Sequence, residues 1–515
     1  MPYLREKADM AWTDPTKGTL PSMTAMKHSI IRKDLILLSQ SVLYWTIGKK
    51  ISVWSTCMKS YARFFPDLAL NVRDKTPIAT REVSEDWHDS KLKTTAFLPI
   101  DLVLCYKFAY PFYSEVVTMP IATKIAGHIS KSSWIRKMFE EGERLRQVHG
   151  AENVYDFTLG NPDTEPPREF QEEFARLATN PIPGMHRYMN NAGYQETRAA
   201  VAEVLAEASG LPVEAGHVVM TCGAGGALNV VLKTILNPGE EVIILTPYFV
   251  EYKFYIDNHG GVPKEVWTNR ETFQLNIPAI EAAITNKTRA VIICSPNNPT
   301  GVIYPEESLK ELGEMLARAE RRYDRQIYVI SDEPYARIAF DGKHVPNIFR
   351  YVESSVIVTS HSKDLALPGE RIGYLAVNPS ARGVEQFVEG AVFSNRVLGY
   401  VNAPALMQRL VTKLQRASVD IGEYQSKRDL LYDRLTAMGF EMVRPDGAFY
   451  LFPKSPLTDD VEFVKMAQKH RILLVPGAGF GAPGFFRIAY CVDRGMIERS
   501  LPAWQQLARE TGLGG

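Results

Sequence analysis

From about residue 217 the chain alternates short apolar runs, rich in β-branched side chains, with stretches of helical periodicity. Residues 217–221, 241–245, 290–294, 327–330 and 356–359 lack the polar alternation of a half-exposed strand, so each is expected to be a strand covered on both faces. Between the first two runs, Leu228, Val231, Leu232, Ile235 and Leu236 fall on one side of a helix. This predicts a β-α-β start and a mostly parallel central sheet with helices on both faces, an α/β architecture. Upstream, residues 121–150 read as helical segments, followed by a proline-rich stretch from Gly160-Asn161-Pro162 to Pro166-Pro167.

Residues 1–118 have a different texture. They carry no sustained helical or strand period, and Trp12, Trp45, Trp54 and Trp87 are placed without pattern. A boundary is expected near 118. The segment reads best as translated sequence ahead of a true start at Met119, with a regulatory or partner-binding module and a targeting segment as the alternatives; it lacks the local consistency of a folding unit.

Charge narrows the choice of ligand. Lys plus Arg and Asp plus Glu number 59 each, so no net field favours nucleic acid or an anionic membrane, and a small molecule fits better. The five cysteines are far apart with no CxxC pair, as expected of reduced thiols in a cytoplasm, and the scattered histidines suggest no metal site. No run approaches the roughly 20 apolar residues that cross a bilayer. A protein of the cytoplasm with no membrane or nucleic-acid partner is expected.

In open α/β sheets ligands bind outside the carboxyl ends of the strands, so the residues just after each run carry the chemistry. The first run leads into Gly223-Ala224-Gly225-Gly226 and a helix, which offers free backbone N–H groups and a positive dipole end to a phosphate. The second ends in Thr246-Pro247-Tyr248-Phe249, and the third in Ser295-Pro296-Asn297-Asn298-Pro299-Thr300-Gly301. The fourth delivers Asp332-Glu333-Pro334-Tyr335, and a buried carboxylate there demands a cationic partner. The fifth ends in Ser360-His361-Ser362-Lys363, where an amine at the edge of a buried crevice has a lowered pKa and can act as a nucleophile. Taken singly, each is explained by a turn, core packing or a solvated charge. Five such devices at successive strand ends are not.

In these motifs the sequence resembles the class I and II aminotransferases, aspartate aminotransferase-like enzymes that use pyridoxal 5'-phosphate (PLP) on fold type I. SHSKDLALPGERIGY resembles the family's Schiff-base segment, with NNPTG and DEPY in the family's order. The likeness covers 119–515. It implies a large PLP-binding domain at 180–410 and a smaller α+β domain from 119–179 and 411–515. It makes Lys363 the coenzyme-bearing lysine and proton shuttle, with Asp332 and Tyr335 as its catalytic partners. Asp332 would pair with the pyridine nitrogen, Tyr335 and Asn298 would bond the ring oxygen, and Phe249 would stack on the ring. Ser360, Arg371 and the N–H groups of Ala224 and Gly225 would hold the phosphate, together with Tyr188 from a neighbouring subunit, hence a homodimer. Arg487 would bind the substrate α-carboxylate with Gly160 and Asn298 beside it. Arg396 lies near where some aspartate-using relatives present an arginine across the dimer, although the spacing to the following proline differs. The implied activity is ping-pong transfer of an amino group from an L-amino acid, aspartate among the candidates, to a 2-oxo acid. A PLP lyase or decarboxylase on the same fold is the alternative, and a non-enzymatic regulatory protein a more distant one.

Overall fold

The computed structural model describes residues 121–131 and 133–513, all within the unit Val117–Gly515. The expectations for residues 1–118 fall outside the described residues. Helices Thr123–Lys131 and Ser133–His149 occupy the segment where helical periodicity begins. No helix among the described residues is long and apolar enough to cross a membrane.

The first strand, β1 (Tyr155–Asp156), lies apart from the main sheet. That sheet is built from β2 (Val218–Thr221), β3 (Glu241–Thr246), β4 (Val262–Trp267), β5 (Thr288–Cys294), β6 (Tyr328–Asp332), β7 (Ser355–Ser360) and β8 (Gly373–Val377), in the order β2-β8-β7-β6-β5-β3-β4. Strands β3 to β7 run parallel, while β8 is antiparallel to both of its neighbours, β2 and β7. The five apolar runs are therefore all strands, and the two that the pattern does not predict are β4 and β8. Strand β4 is an edge strand with a largely exposed polar sequence, Val262-Pro263-Lys264-Glu265, so it has no apolar signature and tolerates proline. Strand β8 begins at Gly373, where an added Cβ would stand 2.2 Å from the Thr359 carbonyl oxygen; only glycine lets the strand pass there.

Both faces of the sheet are covered, and consecutive side chains alternate between them. Val242, Ile244, Ile292, Ile330 and Val358 pack with helices Gly223–Ile235 and Val384–Val397. Ile243, Leu245, Ile293, Val329 and Ile357 pack into a second core with helices Gln195–Ser209 and Glu306–Tyr323. This double burial is the physical reason for the unbroken apolar runs.

A third core gathers around Trp504, Phe157, Phe463 and Phe486. Strands β9 (Tyr450–Leu451), β10 (Ile472–Leu473) and β12 (Phe486–Ala489) contribute to it with helices Ile421–Ala437, Asp460–Lys469 and Arg494–Glu510, while Val475 of β11 (Val475–Pro476) packs into the second core. Strands β11, β12 and β9 form an antiparallel sheet, and β10 pairs in parallel with β1 through Tyr155↔Ile472 and Asp156↔Leu473. That pairing carries the segment after β1, Thr158 to Gly160, to the mouth of the main sheet.

Candidate active site

A cavity of about 350 Å3 opens at the carboxyl ends of β5, β6 and β7. It collects eleven of the residues singled out in the sequence, namely Gly160, Ala224, Gly225, Phe249, Asn298, Asp332, Tyr335, Ser360, Lys363, Arg371 and Arg487.

One end is built for an anion. Helix Gly223–Ile235 starts directly after β2, and its cap position, Cys222, supplies no side-chain hydrogen bond, so the first-turn N–H groups of Ala224 and Gly225 reach the cavity without a side-chain partner at the cap. Gly223 has φ +73°, and a Cβ there would lie 3.0 Å from Arg371 Nη2. Arg371 itself takes a left-handed backbone, φ +53°, and its Nη1 donates to the Pro368 carbonyl at 2.9 Å. Buried Ser360, the last residue of β7, completes this end.

At the centre, the Lys363 ammonium donates to the Gly160 carbonyl at 2.5 Å and lies 5.4 Å from the Phe449 ring centre. Burial lowers its pKa to about 8, helped by the Arg487 and Arg371 charges and opposed by Cys491. A neutral amine is thus within reach near physiological pH. Gly160 is spatially obligatory: an added Cβ would meet Tyr450 Oη at 2.0 Å and Cζ at 2.8 Å. Gly160→Ala is expected to cost about 1–3 kcal/mol through forced displacement of Tyr450, seen as a lower denaturant midpoint with an unchanged slope.

Beneath the centre sits Asp332, 5% exposed at the end of β6. Its Oδ2 accepts from Tyr252 Oη at 2.6 Å, whereas Oδ1 is buried with no hydrogen-bond partner. Burial raises its pKa to about 7 against the lowering effect of the Tyr252 bond. A buried carboxylate with an orphaned oxygen is a receptor for a cationic N–H. Tyr252 also fixes Phe249, meeting its ring edge-on at 5.6 Å and 83°.

The other end holds a buried guanidinium. Arg487, 8% exposed on β12, donates from Nη1 to Asn298 Oδ1 at 3.0 Å and from Nη2 to the Thr158 carbonyl at 2.6 Å, leaving Nε buried without a partner. Its guanidinium is sandwiched between the rings of Tyr450 and Phe480, at 4.7 and 4.8 Å from their centres. Tyr335 Oη pairs with Tyr450 Oη at 2.7 Å.

Two sequence candidates do not join the cavity within the chain. Tyr188 is 89% exposed and lines a separate cleft with Tyr400 and Asn402. Arg396 is exposed near the end of helix Val384–Val397, with its guanidinium 5.2 Å from the Phe393 ring centre. Conversely, Tyr252, Tyr450 and Thr158 contribute contacts that the sequence reading did not assign.

With this geometry in view, the sequence model of the family "Aminotransferase class I and II" matches residues 152–503. The chain belongs to that family. The aminotransferase is 34% identical over 361 residues to the aspartate/prephenate aminotransferase of Thermus thermophilus, covering 69% of this chain and 90% of that one. It is 30% identical over 399 residues to aromatic-amino-acid aminotransferase 2 of Thermococcus litoralis, covering 74% and 97%. Among solved structures, an aminotransferase from Eubacterium rectale superposes with a TM-score of 0.74 at 38% identity, over 76% of this chain and 99% of that one. The enzyme is PLP-dependent and has the type I fold, and the names of these relatives favour transamination over lyase or decarboxylase chemistry. The side chains fit the coenzyme: an unpartnered acid oxygen for a pyridinium N–H, an amine of lowered pKa for an aldehyde, and an uncapped helix start with an arginine for a phosphate.

Proposed function

We propose that Lys363 both anchors the coenzyme and carries the proton in a two-stage exchange between an L-amino acid and a 2-oxo acid, and that the enzyme acts as a cytoplasmic homodimer. The observation that supports this most strongly is the juxtaposition, in one cavity, of an amine of depressed pKa and a buried acid with a vacant acceptor. When bound, pyridoxal phosphate supplies an electron-withdrawing ring that stabilises negative charge on the substrate α-carbon.

The chain's own groups do the rest. Arg487 clamps the α-carboxylate in the plane set by its two aromatic neighbours, with Gly160 and Asn298 alongside. Lys363 Nζ, once free, takes the α-proton, and a pKa of about 8 leaves enough neutral amine to do so near neutral pH. Asp332 Oδ1 would pair with the ring nitrogen and favour its protonated form, Tyr335 and Asn298 would donate to the ring oxygen, and Phe249 would stack on the ring. Ser360, Arg371 and the N–H groups of Ala224 and Gly225 would hold the phosphate. Residues 180–410 carry these coenzyme contacts, and 119–179 with 411–515 supply the substrate side.

Tyr188 and Arg396 act from a second copy of the chain, Tyr188 on the phosphate and Arg396 on a substrate side chain. The names of the relatives make acidic and aromatic L-amino acids the first classes to assay. Arg396→Ala is expected to raise KM for aspartate about tenfold or more while leaving alanine unchanged; equal effects on both would remove this role. A panel of amino donors against 2-oxoglutarate, with glutamate and ammonia both quantified, tests the reading as a whole. Ammonia release without an acceptor would overturn it.

A further inference from the structure

We propose that Tyr450 is a positioning residue that ties the carboxylate-binding arginine to the phenol facing the coenzyme: its hydroxyl donates to Tyr335 Oη, and its ring seats Arg487. The proposal rests on the reading of Tyr335 and Arg487 given above.

Tyr450 opens β9 and is 2% exposed. It touches three parts of the centre at once. Its Oη is 2.7 Å from Tyr335 Oη, its ring centre is 4.7 Å from the Arg487 guanidinium, and its hydroxyl fills the space denied to a Cβ on Gly160, whose carbonyl holds Lys363. Strand pairing sets the arrangement. Ala489 of β12 faces Tyr450 and Ile488 faces Leu451, so Arg487 and Tyr450 come from adjacent antiparallel strands rather than from a loop. The Tyr335 ring meets the Tyr450 ring edge-on at 5.7 Å and 79°, which fixes both phenols relative to each other.

Two phenols sharing one hydrogen bond have two protons between them, so one proton stays free to point elsewhere. Burial raises the pKa of both phenols, Tyr450 to about 12 against the lowering effect of the Arg487 charge, so both stay protonated. Tyr335 lines the cavity, where the coenzyme's anionic ring oxygen would be a stronger acceptor than a neutral phenol and would draw the Tyr335 proton. Tyr450 therefore donates to Tyr335, and the Tyr335 proton is left for the cavity, strengthened by the bond behind it. The same side chain thus serves two functions that substitution can separate. Its hydroxyl polarises Tyr335, and its ring orients Arg487.

Tyr450→Phe removes only the first function, and Tyr450→Leu removes both. In the Phe holoenzyme, a weaker Tyr335 donor stabilises the ring oxygen less. The pH at which the coenzyme's visible absorbance changes should rise by about 0.5 unit or more. kcat should fall about tenfold, with KM for the amino donor within about twofold of the parent. In the Leu variant KM should rise by a further factor of about ten as Arg487 loses its platform. A Phe variant whose absorbance titration and kcat match those of the parent overturns the proposal while leaving the transaminase reading intact. A Phe variant that loses only KM overturns it equally. If the parent itself shows neither a coenzyme band nor transamination, the functional reading falls first and takes this one with it.

Discussion

Lys363→Ala should abolish the covalently anchored coenzyme band and lower kcat by at least about 10^4-fold, because one substitution removes both the anchor and the proton carrier. The fold should survive. Lys363 is held by a single hydrogen bond to the Gly160 carbonyl, and burial lowers its pKa to about 8, so its charged form contributes no net stability below that pH. Linkage gives the sign. The unfolded chain holds this proton up to its ordinary 10.5 while the folded one releases it from about 8, so stability rises with pH across that window and the alanine variant should lack this rise. Absorbance spectra and urea titrations of parent and variant at several pH values check both parts. Full turnover in the alanine variant would rule out Lys363 as anchor and proton carrier.

Asp332→Asn should lower kcat by about 10^2–10^3-fold while stabilising the coenzyme-free protein, an opposed pair of effects. In the absence of a cation Asp332 is a buried acid whose pKa is raised from 3.8 to about 7. The folded state therefore binds the proton more tightly than the unfolded chain, and the acid's contribution to stability declines as pH rises from 3.8 through about 7. Asparagine keeps the shape and the bond to Tyr252 and does not titrate. Its stability advantage should be absent at low pH and largest above pH 7, measured as melting temperature of the coenzyme-free protein against pH. A bound pyridinium reverses the balance by supplying the missing positive partner, so the advantage should shrink or invert in the holoenzyme. A variant no more stable than the parent at pH 8 would show that the acid's burial is compensated elsewhere.

The parts of the molecule legible in the sequence are those where one physical demand dominates a short segment. Strands β2, β3, β5, β6 and β7 are buried on both faces, so their apolar runs are unbroken, and the polar groups at their ends stand out against that background. Strand β4 escaped because an exposed edge imposes no apolar pattern, and β8 because it opens on Gly373-Tyr374, inside the lysine motif, and leaves only three apolar residues beyond it. Tyr252 and Tyr450 went unassigned because their roles lie in contacts with residues 80 and 115 positions away, and no local pattern encodes that. The bond from Arg487 to the Thr158 carbonyl spans 329 positions and is equally invisible to a window of a dozen residues. Tyr188 and Arg396 illustrate the opposite case: family likeness singles them out, yet within the chain they lie outside the cavity.

The pairing of β1 with β10 has a consequence for biosynthesis. It brings Thr158 and Gly160 to a centre whose arginine is encoded more than three hundred codons downstream. Until residue 472 has been made, β1 has no partner strand and the Gly160 carbonyl has no fixed place beside Lys363. The cavity is therefore completed only by the last strands of the chain to be synthesised, β10 and β12.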